Sequence, residues 1–319
     1  MAAAKIVLEP VFEADFLSCS HGFRPRRLAH DANEVIRVEV NRGRRWVLDA
    51  DIKACFDNID HQALMGLVAR RVSDRRMLKL LRGWLRVGVF EGGAVTGTGG
   101  GTPQGSPISP LLANIALHVL DIEFNGRRNE LGVLVRYADD FVVICSSRRQ
   151  AETAWQRAEV VLGGLGLWTH PDKTRIVNMA QGQDGFDFLG FHHRVRESPR
   201  VPGRFYLNRW PSTRAMNHIR QRIREITDRR YAAAPTEWVV ERLNQTLRGW
   251  GAYFRWGNSN RKFSHIDAYV AFRLAKLTSV KHGQRGRGWA GRYNYAWQTS
   301  LGLHRLCGTV RYRQTHATR

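Results

Sequence analysis

The apolar positions of this chain recur in two ways. Short β-branched runs are scattered among helical spacings in the first two thirds, and helical spacings alone fill the last. Residues 132–135 and 141–145 are runs of the first kind, separated by a short polar break, and predict a β-hairpin. Trp46, Val47, Leu48 and Ile52 predict a buried strand. Residues 175–177 and 186–191 predict two shorter ones, with Gly190 marking close approach of another backbone. Helices are expected at 6–17, 29–41, 62–90, 111–120 and 152–162. The first reads as the end of a longer helix, so that the chain begins abruptly. In the third, Leu64, Leu67, Val68, Leu78, Leu81, Trp84 and Leu85 mark one face, and arginines decorate the others. The glycine-rich stretch 91–101 predicts a mobile hairpin. Residues 101–110 predict a stiff loop entering a helix, with Ser109 as its cap and Pro110 at the first helical position.

Three amphipathic faces follow beyond residue 212. Met216, Ile219, Ile223 and Ile226 form the first, Val240, Leu243, Leu247, Trp250 and Phe254 the second, and Phe263, Ile266, Val270, Leu274 and Leu277 the third. Their opposite faces carry Arg220, Arg222, Arg224, Arg242, Arg248, Arg255, Lys262 and Arg273. A solvated helix usually mixes signs, and faces this uniformly positive predict contact with phosphate. The overall charge agrees: 50 Lys and Arg stand against 28 acidic residues, a net of +22. Residues 1–200 hold 27 basic and 23 acidic residues, and the remainder 23 and 5, so the net is +4 and then +18. A polyanionic partner is implied, an anionic membrane surface being the weaker alternative. Trp250, Trp256 and Trp289 are candidates for stacking on bases, although the position of Trp250 on an apolar face favours the core. The stretch 281–288 reads as flexible, ordering on RNA. Arg24, Arg26 and Arg27, in the loop 20–27, are further phosphate candidates. Four scattered cysteines without a Cys-x-x-Cys pair argue against a structural zinc module and for reduced thiols in a cytoplasm. No secretion signal and no long apolar run is present.

The acidic residues carry the chemistry. Asp139 and Asp140 occupy the break of the predicted hairpin, where two like charges repel unless a cation lies between them. A solvated turn is the ordinary reading of such a pair. Here the apolar flanks hold it at the end of a rigid element, which favours ligation of a hard cation by another carboxylate as well. Four acids lie between residues 49 and 60. Asp60 is best explained as a helix cap, whereas Asp51 ends a buried strand, where an unpaired carboxylate is costly. Together Asp51, Asp139 and Asp140 form a cage for two Mg²⁺ ions, an arrangement suited to in-line nucleotidyl transfer. Phe56 is either core packing or a ring that occludes a sugar 2′-hydroxyl. Lys173 is either a solvated lysine or a phosphate contact.

Taken in order, residues 50–61, residues 101–112, Tyr137-Ala138-Asp139-Asp140, Asp172-Lys173-Thr174 and Phe188-Leu189-Gly190-Phe191 closely resemble the reverse transcriptases encoded by group II introns. The resemblance extends to 20–32 and to 212–282. It implies an α+β fold: a right-hand polymerase palm, which is an antiparallel sheet with packed helices, plus a helical, basic thumb or maturase domain. The implied bounds are 1–45 for a remnant of the fingers, 46–200 for the palm, 201–282 for the thumb and 283–319 for a basic tail. By the same resemblance, Asp51, Asp139 and Asp140 bind two Mg²⁺ ions, replaceable by Mn²⁺, with help from the carbonyl of Ile52. Phe56 is the gate against ribonucleotides, Gln104 touches the incoming nucleotide and template, and Lys173 lies near the triphosphate. Leu189 and Gly190 grip the primer. Arg24, Arg26, Arg27, Arg220, Arg224, Arg248, Arg255 and Lys262 are the expected RNA contacts. The implied function is RNA-directed DNA polymerisation, together with binding of a group II intron RNA and assistance to its splicing and retrotransposition. The implied partners are that RNA, an RNA template with a DNA primer, and dNTPs, without membrane or structural zinc. Fingertip strands and a paired-cysteine HNH-type endonuclease module have no match, which leaves two alternatives: a polymerase-impaired RNA-binding maturase that serves as a splicing cofactor, and a host-adopted or defence-associated reverse transcriptase.

Overall fold

The computed structural model describes residues 1–86, 89–91, 94–96, 106–180, 183–283 and 289–312, with backbone alone at 89–91, 94–96 and 289–290. Helices α1 (Ala2–Glu13) and α2 (Ala29–Asn41) precede strand β1 (Trp46–Asp51). A single turn, α3 (Cys55–Asn58), is followed by α4 (His61–Ala69) and α5 (Arg75–Arg86), then by the paired strands β2 (Val89–Glu91) and β3 (Ala94–Thr96). Helix α6 (Ser109–Gly126) and the turn α7 (Arg128–Leu131) lead to the hairpin β4 (Val133–Tyr137) and β5 (Asp140–Cys145). Helix α8 (Arg148–Gly163) and strand β6 (Arg175–Asn178) follow.

The predicted strands assemble as an antiparallel sheet in the order β4-β5-β1-β6. Because side chains alternate across a strand, Leu48 and Ala50 share one face with their partners Val143 and Phe141. That face is fully buried in a core with Leu117 and Leu120 of α6 and Ala154 and Ala158 of α8. The opposite face holds Val47, Asp49 and Asp51 with their partners Ile144, Val142 and Asp140. Helix α2 lies against β4 and β5, and its buried Ile36 and Val40 stand outside the first core, so it covers the apolar end of this second face. The sheet thus presents acids at only one end of one face.

Two local differences from the sequence reading have clear causes. The continuous apolar spacing over 62–90 belongs to two helices, not one. Asp74 accepts bonds from the Arg76 and Met77 N–H groups and starts α5 afresh. Asp60, as expected, caps α4 by accepting from Ala63 at 2.7 Å. Residues 186–191 are not one strand. They form β7 (Phe186–Phe188) and the start of β8 (Phe191–Glu197), joined by a turn in which Leu189 and Gly190 both have positive φ, 49° and 77°. With β9 (Phe205–Pro211) they make a sheet in the order β7-β8-β9.

The remaining helices are α9 (Thr213–Ile226), a 3₁₀ turn (Arg229–Tyr231), α10 (Thr236–Phe254), α11 (Asn260–Lys281), and the short α12 (Trp289–Arg292) and α13 (Tyr295–Ser300). The three predicted apolar faces build their core together with Phe191. Trp250 packs its ring on Phe254 and Phe263 and is a core residue. The side chain of Trp289 lies outside the described residues.

By compactness the chain forms two units, Met1–Gly185 with Val195–Tyr206, and Phe186–Arg194 with Leu207–Arg319. This moves the start of the second unit ahead of residue 201. It also replaces the expected tail, since residues 294–312 dock on α10 and α11. Asn244 donates to Gly302 O and accepts from His304 N, Asp267 accepts from the N–H groups of Leu306 and Cys307, and Arg311 N donates to Arg255 O. Leu306 is fully buried. Residues 284–288 lie outside the described residues.

Candidate active site

Asp51 ends β1 and is the direct partner of Asp140, the first residue of β5. Asp139 occupies the two-residue turn between β4 and β5, next to Ala138, whose φ is +59°. Period-two alternation brings Asp49 onto the same face as Asp51 and Asp140. Three acids therefore share one end of one face, with Asp139 on the adjoining turn. Burial, and then the charges of Asp49, Asp51 and Asp139, push the Asp140 carboxyl up to about 8. Burial and Asp51 raise Asp139 as well. Lys173 Nζ meets Asp51 Oδ2 at 2.6 Å, and Arg175 Nε meets Asp49 Oδ2 at 3.1 Å.

Among the described residues no group of three or more His, Cys, Asp or Glu side chains is disposed to hold a metal ion as it stands. Lys173 supplies the positive charge at Asp51 instead. By its chemistry the donor set fits a hard divalent cation. It is built from carboxylates, and burial together with the charges of Asp49, Asp51 and Asp139 raises the Asp140 carboxyl, a cost that a bound cation would relieve. Asp51 O accepts from His170 N at 2.7 Å on the β6 side, and successive carbonyls of a strand point to opposite edges, so that of Ile52 points to the β5 edge.

The turn is held by residues that sequence reasoning passed over. Arg136, fully buried in β4, donates to both oxygens of Asp121, to Asn114 Oδ1, to Ser20 Oγ and, at 2.9 Å, to the carbonyl of Ala138. Burial opposes the charge on Asp121, and the Arg136 guanidinium overrides it, holding this carboxyl below its ordinary range. The segment around Ser20 runs parallel to β4, with Arg136 N donating to Cys19 O and His21 N donating to Arg136 O. Gly22 sits so close to the turn that a Cβ there would overlap the backbone nitrogen of Ala138. The available signal was one arginine inside an apolar strand, which must find a buried partner.

Phe56 lies in α3, half-buried against the first core. Gln104 lies outside the described residues. Leu189 and Gly190 belong to the second unit. There Tyr253 Oη donates to Leu189 O at 2.8 Å, Ser212 N donates to Gly190 O, and the ring of Phe254 lies against Gly190, whose φ of 77° favours glycine.

The expected RNA contacts do not all face outward. Arg24 is buried, and its guanidinium is spent on Glu13 and on the carbonyls of Phe16, Leu17 and Ser20. It therefore staples a loop and offers nothing to phosphate, because its charge is already matched within the fold. Arg26, Arg224 and Arg248 are exposed, while Arg27, Arg220, Arg255 and Lys262 are half-buried. Arg224 Nε donates to Tyr269 Oη, and Arg255 lies over the ring of Trp256.

Residues 2–193 match the reverse transcriptase (RNA-dependent DNA polymerase) family, and residues 216–297 match the group II intron maturase-specific domain. The chain is similar to the group II intron-encoded protein LtrA of Lactococcus lactis subsp. cremoris, with 31% identity over 61% of this chain and 42% of that protein. It is also similar to protein YkfC of Escherichia coli (strain K12), with 32% identity over 67% of this chain and 65% of that one. The chain thus spans less than two thirds of either relative. Among solved structures it is similar in fold to apo telomerase from Candida tropicalis, with a TM-score of 0.52 and 12% identity over 88% of this chain and 54% of that one. This likeness is to the α+β polymerase fold expected above. The chain belongs to the reverse transcriptase family, in the form that carries a group II intron maturase-specific domain.

Proposed function

We propose that this protein is an RNA-directed DNA polymerase of a group II intron, which also binds the intron RNA and assists its splicing and retrotransposition. The observation that carries the reading is the pairing of Asp51 with Asp140 across β1 and β5, with Asp139 on the adjoining turn. In this reading the three carboxylates and the Ile52 carbonyl hold two Mg²⁺ ions, for which Mn²⁺ can substitute. When bound, the ions stabilise the attacking and leaving oxygens of an in-line displacement. Lys173 exchanges its bond to Asp51 for one to the triphosphate of the incoming dNTP. The ring of Phe56 closes the space a ribose 2′-hydroxyl would need, Gln104 touches the base pair being formed, and Leu189 with Gly190 grips the primer. The first unit then acts as palm with the fingers remnant, and the second as the thumb or maturase domain. Its exposed Arg224 and Arg248, with Arg220, Arg255 and Lys262, contact RNA phosphates, as do Arg26 and Arg27 of the first unit. All four cysteines are free, which suits work in a reducing cytoplasm.

Extension of a DNA primer on an RNA template tests the reading. The wild type should incorporate dNTPs in a Mg²⁺-dependent manner, and Asp139→Ala and Asp140→Ala should fall to background. Background incorporation by all three proteins would instead support a splicing cofactor without polymerase activity.

A further inference from the structure

The end of the sheet opposite the acids carries a cluster that the proposed polymerase chemistry does not use. Glu39, on α2, is buried to 4% exposure, yet it gathers three guanidinium groups, two from the residues just after α2 and one from 89 residues downstream. Its Oε1 accepts from Arg42 Nη1 at 2.9 Å and from Arg128 Nη2 at 3.1 Å, and its Oε2 accepts from Arg44 Nε at 3.1 Å. These groups line a pocket of about 410 Å³, together with Gly43, Asn129 and Ser146, and no other acid lines it. One carboxylate is enough to balance one arginine, so the cluster retains an excess charge of +2. Arg42 and Arg128 each spend one of five N–H donors on Glu39, and their other donors meet no protein acceptor among the described residues. The buried carboxylate thus gathers the guanidiniums around one pocket while leaving most of their donors open to an anion.

The geometry points to a phosphate-binding site at Arg42, Arg44 and Arg128, filled by a backbone phosphate of RNA. Its place in the fold separates it from the catalytic end. Arg44 precedes β1 and Asp51 ends it, seven residues later, which is about 20 Å along an extended strand. An RNA held here is therefore a second segment, beyond the primer-template at the acids. The choice of RNA over a free phosphate compound rests on the RNA-binding half of the proposed function.

Filter binding of the cognate intron RNA across a salt series tests the site in the full-length protein. Arg42→Gln with Arg128→Gln leaves Arg44 to balance Glu39, and thermal melting verifies folding. The slope of log affinity against log salt should fall in magnitude by about 1.5, as for two lost phosphate contacts. The pair Arg42→Lys with Arg128→Lys keeps the charge and loses the planar fork, and should weaken binding several-fold at unchanged slope. An unaltered slope in the glutamine pair overturns the site, as does wild-type affinity in the lysine pair, which would mean a general field. Competition by inorganic phosphate and by a dNTP distinguishes the source. Displacement of a dNTP, but not of RNA, by the glutamine substitutions would also overturn the RNA assignment. Absence of RNA binding by the wild type would instead count against the proposed function itself.

Discussion

Lys173 Nζ stands 2.6 Å from Asp51 Oδ2, so an ammonium group occupies the position next to the carboxylate that ends β1. The same lysine lowers the carboxyls of Asp139 and Asp140, against the stronger upward effect of burial. With Arg175, which pairs with Asp49, it supplies positive charge beside this group of acids. Lys173→Met should therefore leave the cluster more dependent on divalent ions. Adding Mn²⁺ should raise the melting temperature of the variant more than that of the wild type, as followed by calorimetry. Equal shifts would detach Lys173 from the acids.

The turn that bears Asp139 is gripped from two sides, by Arg136 at the carbonyl of Ala138 and by Gly22 at its nitrogen. Gly22→Ala should push the turn away without disturbing the core. A displacement near 1 Å typically costs roughly 10²-fold in rate, so steady-state primer extension should show kcat reduced by that order while RNA affinity is kept. A variant with wild-type kcat would show that the close approach has no catalytic consequence.

Removing Arg136 differs in kind, because it strands Asp121 in the core. Arg136→Met should cost about 3–5 kcal/mol in urea unfolding, and Arg136→Met with Asp121→Leu should recover much of that loss. The double variant should nevertheless polymerise poorly, since the Ala138 carbonyl has lost its donor. Full recovery of activity together with stability would make the ion pair a matter of folding alone.

Much of this arrangement is legible in the chain, and what is not has physical reasons. The β-branched runs flanking Asp139 and Asp140 announce the hairpin, and the three- and four-residue spacings of Met216, Val240 and Phe263 and their successors announce the second core. Asp49 is harder to assign, because it joins Asp51 and Asp140 only once the register against β5 is known. The direction of Arg24 is equally hidden. Its charge suggests phosphate, but the partner that claims it, Glu13, is eleven residues away. The cluster at Glu39 draws Arg128 from 89 residues downstream, a separation that no local pattern encodes. The docking of 294–312 escapes periodicity because it depends on backbone N–H groups accepted by Asn244 and Asp267.

Stability should depend on pH through two buried histidines. His21, 2% exposed, is held at about 4 by burial and then by Arg27, with Arg24 and Arg136 acting in the same sense and Asp31 opposing. His193, fully buried and stacked on Phe186, is lowered well below its usual value by burial and Arg209. A folded pKa below the unfolded value of 6.5 means that the unfolded chain binds the proton first. The stabilisation is thus complete above pH 6.5 and is lost as pH falls towards 4, by about 3 kcal/mol for His21. The raised Asp140 carboxyl acts in the opposite sense over this range, so the test is the difference between proteins: from pH 7 to 4 His21→Asn should lose less urea stability than the wild type. Identical losses would remove His21 from this balance.

The account turns on Asp51 acting with two acids almost ninety positions away. Loss of a ligand that neutralises charge in the transition state is worth several kcal/mol, or roughly 10³-fold in rate. The direct measurement is Mg²⁺-dependent incorporation of dNTPs into a DNA primer on an RNA template by Asp51→Asn, beside the wild type at matched RNA binding. The account predicts an active wild type and a variant reduced by that factor, and incorporation by Asp51→Asn at the wild-type rate would contradict it.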